Sequence, residues 1–180
     1  MYTFSQRFSD YIKRPQTRKD MPIYLLDVVD ILDAQSTQAK DIDLILGKHD
    51  IQGFDRIKVE TIDLLLAYAN YILEDSVITD EEAYDFAALK MTFRIKEGDF
   101  LQLRSFEVRE ILRKEFIRIY SDNFVDKKED LEKVNLQALF DLSYDQFEEI
   151  KKDEVINALL NGANPTDLSI TKLPKGFKVV

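Results

Sequence analysis

From position 56 the apolar residues fall with a helical period. Ile62, Leu65, Leu66, Ala69, Ile72 and Leu73 occupy i, i+3, i+4, i+7, i+10 and i+11. The spacing predicts a helix ending at Glu74 or Asp75. A second stripe, Phe86, Leu89 and Phe93, predicts a helix over 80–95. Val108, Leu112, Phe116 and Ile119 predict another, ending near Ser121. Further helices are expected over 127–141 and from Ser143, with Ser143 as N-cap, Gln146 completing a capping box and Gly162 as the stop. Upstream, Asp20 before "MPIYLLDVVDILDAQ" reads as a cap with Pro22 in the first turn. "STQAKDIDLILGKHD" reads as a helix closed by Gly47, Gly53 as a turn and Asp55 as the next cap. Phe4, Phe8, Tyr11 and Ile12 are spaced so that part of residues 1–19 docks as a helix. "NPTD" after Gly162 reads as another cap-like turn.

Sliding the chain by 47 residues repeats this pattern. It pairs Glu60 with Glu107, Leu65 with Leu112, Ile72 with Ile119 and Asp75 with Asp122. It also pairs Glu82 with Glu129, Leu89 with Leu136, Phe93 with Phe140 and Phe100 with Phe147. Composition alone gives roughly three such identities over this stretch. Two copies are too few for a solenoid. The expected architecture is all-α: two related helical halves sharing a core about a pseudo-two-fold axis, with extra N-terminal helices. Residues 1–55 are expected to form a basic arm and those helices, 56–160 the duplicated domain and 161–180 a basic tail.

The repeat contains a shared acidic motif, D-[S/N]-x-[V/I]-[T/D]-x-x-E. Asp75 and Asp122 lie just past a helix end. Ser76 and Asn123 occupy turn positions suited to a left-handed backbone. Ile78 and Val125 anchor the loop. Thr79 and Asp126 are N-caps, and Glu82 and Glu129 complete their capping boxes. Caps therefore account for Thr79, Glu82, Asp126 and Glu129. They do not account for the two aspartates, which face the negative end of a helix dipole. An Asx-turn would compensate them. So would a cation held by Asp75 with Glu82, and a second held by Asp122 with Glu129. Such an all-oxygen site suits Ca²⁺ or Mg²⁺, with Asp80, Glu81 or Asp130, backbone carbonyls and water completing the shell. It is not an EF-hand loop.

A helix ending in this motif, followed by a second helix and an amphipathic third, resembles the TerB-like domains of the tellurite-resistance and stress-response group. The resemblance spans about residues 56–160, including "LEDSVITDEE" and "YSDNFVDKKE". It implies an all-helical fold of two halves, a cytoplasmic and often membrane-associated scaffold, and divalent metal at Asp75, Glu82, Asp122 and Glu129. The family's glycine after the aspartate is Ser76 in one copy and Asn123 in the other.

Charge and composition narrow the function classes. The net charge is −9. Arg7, Lys13, Arg14, Arg18 and Lys19 face Asp10 alone in the first nineteen residues, and Lys172, Lys175 and Lys178 face no acid at the other end. The body between is more acidic than the whole. Such a body repels phosphate backbones, so no nucleic-acid partner is expected. The basic ends could contact an anionic membrane surface or a second copy of the chain, and a protein partner or self-association is expected. With no Cys and one His, thiolate chemistry, disulfides and Cys/His zinc sites are excluded. Direct tellurite chemistry through thiols goes with them. No signal peptide or spanning run is visible, so a cytoplasmic protein is expected. His49 lies near a helix end, where its charge favours the dipole. Phe140, Tyr144 and Phe147 form an aromatic row expected to pack in the core.

The reading is a non-catalytic scaffold or stress-response protein binding divalent metal through two acidic loops. The alternative is a metal-free interaction adaptor whose acidic motifs are only caps. A third reading is a metal-dependent hydrolase using the same carboxylates. No catalytic residue is assigned.

Overall fold

A computed structural model describes residues 2–34, 39–170 and 172–175. Among them are nine α-helices and two 3₁₀ turns, with no strand. The helices are α1 (Gln6–Ile12), α2 (Pro15–Arg18), α3 (Ile23–Asp33), α4 (Ala39–Lys48), α5 (Lys58–Ile72), α6 (Asp80–Thr92), α7 (Asp99–Ile119), α8 (Lys127–Leu139) and α9 (Tyr144–Leu160). The all-α class is as expected. No helix among the described residues is long and apolar enough to cross a membrane. The chain divides into two compact units, Met1–Lys96 and Glu97–Val180. The arm and helices of residues 1–55 lie within the first of these.

In the first unit the stripe read from the sequence is the buried face of α5. Ile62, Leu65, Ala69 and Ile72 are fully buried. Phe86 and Leu89 of α6 and Phe93 just beyond it close over the same core. Burial of a large apolar side chain contributes about 1.5–3 kcal/mol, so this stripe is the main source of the unit's stability. Helix α1 adds Phe8, Tyr11 and Ile12 to the core. Phe8 meets Tyr68 edge to face at 5.3 Å, and Tyr11 stacks on Tyr71 at 5.1 Å. Helices α3 and α4 pack together through residues including Val28, Val29, Leu32 and Leu46.

In the second unit α7 packs on α9. Phe116 meets Phe147 at 5.2 Å, and Phe100 meets Phe140 at 5.5 Å. Arg104, at φ −142°, kinks α7 and leaves residues 105–119 as its regular part. Leu168 of the segment after α9 is fully buried.

Several local features recur at the 47-residue offset. Helices α6 and α8 are both thirteen residues long. Ser76 and Asn123 are both left-handed, at φ 62° and 63°. Arg94 and Asp141 are left-handed too, at φ 55° and 51°. At these last two the chain reverses in the same way. Ile95 N–H donates to the Lys90 carbonyl at 2.9 Å, and Leu142 N–H to the Gln137 carbonyl at 3.1 Å.

Several expected boundaries move. Asp20 does not cap α3. Pro22, its φ fixed near −59°, is the first flanking residue, and Asp20 falls two positions too early. Asp55 does not cap α5, because it is taken into the 3₁₀ turn Phe54–Arg56. Gly47 does not close α4. The helix continues to Lys48, and the reversal falls at Asp50, at φ 57°, where Ile51 N–H reaches the Leu46 carbonyl at 2.9 Å. The start expected for this helix near Ser36 lies outside the described residues. Helix α6 stops at Thr92, not Ile95, because Arg94 turns left-handed. Its guanidinium lies over the Phe54 ring at 4.7 Å and 3.8 Å from Asp43. The turn Pro15–Arg18 was not foreseen. Tyr144 is half exposed, so the expected aromatic row reduces to Phe140 and Phe147 in the core. Ser143 with Gln146, and the stop at Gly162 with φ 91°, are as expected.

Candidate functional site

The two acidic loops have the same local chemistry. Asp75 Oδ1 accepts from the Val77 N–H at 3.2 Å, and Asp122 Oδ1 from the Phe124 N–H at 3.0 Å. Each aspartate closes an Asx-turn over its left-handed neighbour. That bond supplies the compensation its place at a helix end requires. Thr79 and Asp126 accept the N–H of Glu82 and Glu129 at 3.3 and 2.8 Å. Glu82 and Glu129 return the bond to the Thr79 and Asp126 N–H at 2.9 and 3.1 Å. Both capping boxes are complete. Ile78 and Val125 are buried, as an anchoring role requires.

Around this common loop the units differ. In the first, Arg7 of α1 stands between the two carboxylates. Its Nε pairs with Glu82 Oε1, and its Nη2 lies 3.3 Å from Asp75 Oδ2. Glu82 is almost fully buried, so its charge needs a close partner. Burial works against the Arg7 charge, but Glu82 and then Asp75 outweigh it and hold the guanidinium's pKa above its ordinary value. The guanidinium also lies 5.1 Å from the Tyr71 ring centroid.

One helical turn along α6, Asp85 is fully buried. It accepts from the Tyr2 hydroxyl at 3.0 Å, the Ser5 N–H at 3.0 Å, the Ser5 hydroxyl and the Tyr68 hydroxyl at 3.3 Å. Burial pushes the Tyr2 and Tyr68 hydroxyls well above the usual tyrosine range, and Asp85 pushes them further. Both therefore stay protonated as donors. Ser5 also caps α1 by accepting from the Phe8 N–H at 3.2 Å. Residues 2–12 are thus fixed at their start by Asp85, in the middle by Glu82 and at their end by aromatic packing.

In the second unit the cation comes from α7, the helix that leads into the loop. Arg118 Nη2 donates to Glu132 Oε2 at 2.7 Å, and its Nε to Glu115 Oε2 at 3.2 Å. At the 47-residue offset Glu115 corresponds to Tyr68, Arg118 to Tyr71 and Glu132 to Asp85. Neither Asp122 nor Glu129 takes an ion pair with another described residue. The segment after α9 crosses this loop. Val125 N–H donates to the Asp167 carbonyl at 2.7 Å, the Ser169 hydroxyl donates to Asp130 at 2.9 Å, and Lys133 lies 2.8 Å from Asp130. Lys133 holds Asp130 below the usual carboxylate range; burial opposes this and Ser169 assists it.

The structure thus brings Asp75 and Glu82 together around Arg7, while among the described residues Asp122 and Glu129 flank a loop with no such cation. Asp130 is committed to Lys133 and Ser169. Among the described residues, no group of three or more His, Asp or Glu is placed to hold a metal ion. At the first loop a divalent ion would have to displace Arg7, so its donor set does not fit a metal. His49 Nε2 lies 2.8 Å from Asp27 at the surface between α3 and α4.

Asp85, Glu132, Arg7 and Arg118 were not foreseen as a set. One signal was available: Asp85 is a charged residue on the apolar stripe of α6, beside Phe86 and Leu89. The partner of such a residue lies far away in sequence and leaves no local pattern. Comparison with family models, with curated proteins and with solved structures gives no match for this chain.

Proposed function

We propose that this protein is a non-catalytic, TerB-like interaction scaffold whose acidic loops receive the cationic side chains of polypeptide segments. The observation that carries this reading is Arg7. A segment remote in sequence lies along α5 and α6 and places its guanidinium between Asp75 and Glu82. That is peptide recognition by charge-assisted pairing. Arg7 fills the place foreseen for Ca²⁺ or Mg²⁺. In this reading the second loop, Asp122 with Glu129, offers the same carboxylates to an arginine or lysine of a protein partner or a second copy. A duplicated ancestry is supported by the 47-residue recurrence of helix lengths, left-handed residues and capping boxes. Several carboxylates flank these loops, but they are engaged in caps, turns and ion pairs, which favours a binding role over hydrolysis.

The test is a titration of the full chain, with the backbone amides of residues 122–129 followed by NMR. The probe is a peptide of sequence YTFSQRFSDYI, set against the same peptide with its arginine replaced by glutamine. The arginine peptide should shift these amides, and Asp122→Asn should weaken the effect. Millimolar Ca²⁺ or Mg²⁺ should leave the amides and the melting temperature unchanged. A metal-induced rise in melting temperature that Asp122→Asn abolishes would replace this reading with the divalent-metal one.

A further inference from the structure

A cavity of about 470 Å³ opens in the first unit where α1, α2, the start of α3 and the middle of α5 meet. It lies apart from the acidic loops and involves neither Arg7 nor Glu82. Its size falls in the range of small-molecule sites, roughly 300–1,000 Å³. Met21, Pro22, Leu25 and Leu64 give it an apolar floor. Asp20, Glu60 and Asp63 place three carboxylates on its wall, and no lysine or arginine is among the described residues that line it. Glu60 lies near the Tyr24 hydroxyl, whose pKa is pushed up to about 12 by burial and then by Glu60.

Tyr11 supplies a second, independent observation. It lines the cavity and is 4 % exposed, yet its hydroxyl has no hydrogen-bond partner in good geometry, although Thr17 is nearby. Its ring is fixed by Tyr68 and Tyr71 at 5.0 and 5.1 Å. A buried hydroxyl left without a partner destabilises the fold. A ligand that donates a hydrogen bond to it would recover that cost.

We propose that this cavity binds a small amphipathic amine: a primary ammonium on an aromatic or aliphatic stem. The stem lies on Leu25 and Leu64, and the ammonium donates to Glu60 and to the Tyr11 hydroxyl. An anion would be repelled by three carboxylates. A neutral alcohol would lose the charge-assisted bond to Glu60.

Isothermal titration of the full chain at pH 7 with 2-phenylethylamine, 2-phenylethanol and phenylacetate tests the assignment without any variant. Binding is expected for the amine alone. Glu60→Gln should weaken it about tenfold, the loss of one charge-assisted hydrogen bond. Tyr11→Phe keeps the ring stack and should weaken it several-fold. Ala67→Leu, at an exposed helix position on the cavity wall, should block it while leaving the melting temperature near that of the parent. Equal binding of amine and alcohol, no binding of the amine, or an amine affinity untouched by Ala67→Leu would each overturn the proposal. Its failure would leave the arginine reading of the acidic loops standing, since the two use different residues.

Discussion

The two units carry the same acidic loop and the same carboxylate one turn further along, but satisfy them differently. In the first, the buried Asp85 is satisfied by neutral donors, three of the four from Tyr2 and Ser5, and Glu82 is paired with Arg7. In the second, Glu132 is neutralised by Arg118 from the adjacent helix. The difference follows from two positions on the longer helix. Where the second unit has Glu115 and Arg118, the first has Tyr68 and Tyr71, which carry no charge to pair with a carboxylate; Tyr68 donates a hydroxyl hydrogen bond to Asp85, and both stack aromatic rings. The first unit therefore has an aromatic face with buried acid beside it, suited to a chain segment bearing rings and a guanidinium. The second has a closed ion-pair triad there. It leaves its acidic loop to the segment after α9, whose described residues bond Val125 and Asp130 but not Asp122 or Glu129.

The sharpest way to break this comparison is Asp85→Ala. It removes the acceptor of four donors at a fully buried site. A loss of about 3 kcal/mol is expected, a fall in melting temperature of roughly 6–12 °C for a chain of this size. Glu132→Ala, at the matching position, should cost less, because Arg118 keeps Glu115. Equal losses in the two variants would show that the arm contributes nothing special. Denaturant melts of both measure it.

Arg7→Gln should come next, at about 2 kcal/mol. It strands the buried Glu82, but Arg7 is itself 38 % exposed, which moderates the cost of breaking a buried pair. The amides of residues 2–12 should then exchange with solvent faster while those of the second unit are unchanged. Arg118→Gln should do the reverse.

The left-handed residues sharpen the local half of the comparison. Ser76→Gly should stabilise by about 0.5–1 kcal/mol, since serine at φ 62° is strained and glycine is not. Asn123→Gly should gain less, because asparagine tolerates that backbone. A matched pair of melts decides it, and equal gains would refute the argument.

The smallest effect concerns pH. Lys133 lowers the Asp130 pKa in the folded state, so the pairing stabilises the fold above the unfolded aspartate's pKa. That stability is lost as pH falls through the lower folded value. Hydrogen exchange in residues 165–170 should therefore quicken below about pH 4, the ordinary aspartate range.

The acidic loops show how far the chain could be read directly. Asx-turns, caps and left-handed turn residues are set within four or five neighbours, so Asp75, Ser76, Thr79 and Glu82 are legible, as are Asp122, Asn123, Asp126 and Glu129. The arginine between Asp75 and Glu82 was not anticipated. Arg7 lies 68 residues from Asp75, and no short-range pattern joins them. The misplaced caps at Asp20 and Asp55 share one cause. Capping residues also serve ordinary turns, and whether a helix starts beside one depends on what it then buries.

By itself the sequence determined the all-helical class, the apolar faces of α5, α6 and α7 and the geometry of both acidic loops. Those depend on period and on hydrogen bonds between near neighbours. Only the tertiary structure decided that an arginine fills the first loop, that Asp85 anchors the chain's beginning, and that Arg118 does the corresponding work in the second unit. A buried charge selects whichever partner the fold brings within about 3 Å, and that proximity is a property of packing, not of spacing along the chain.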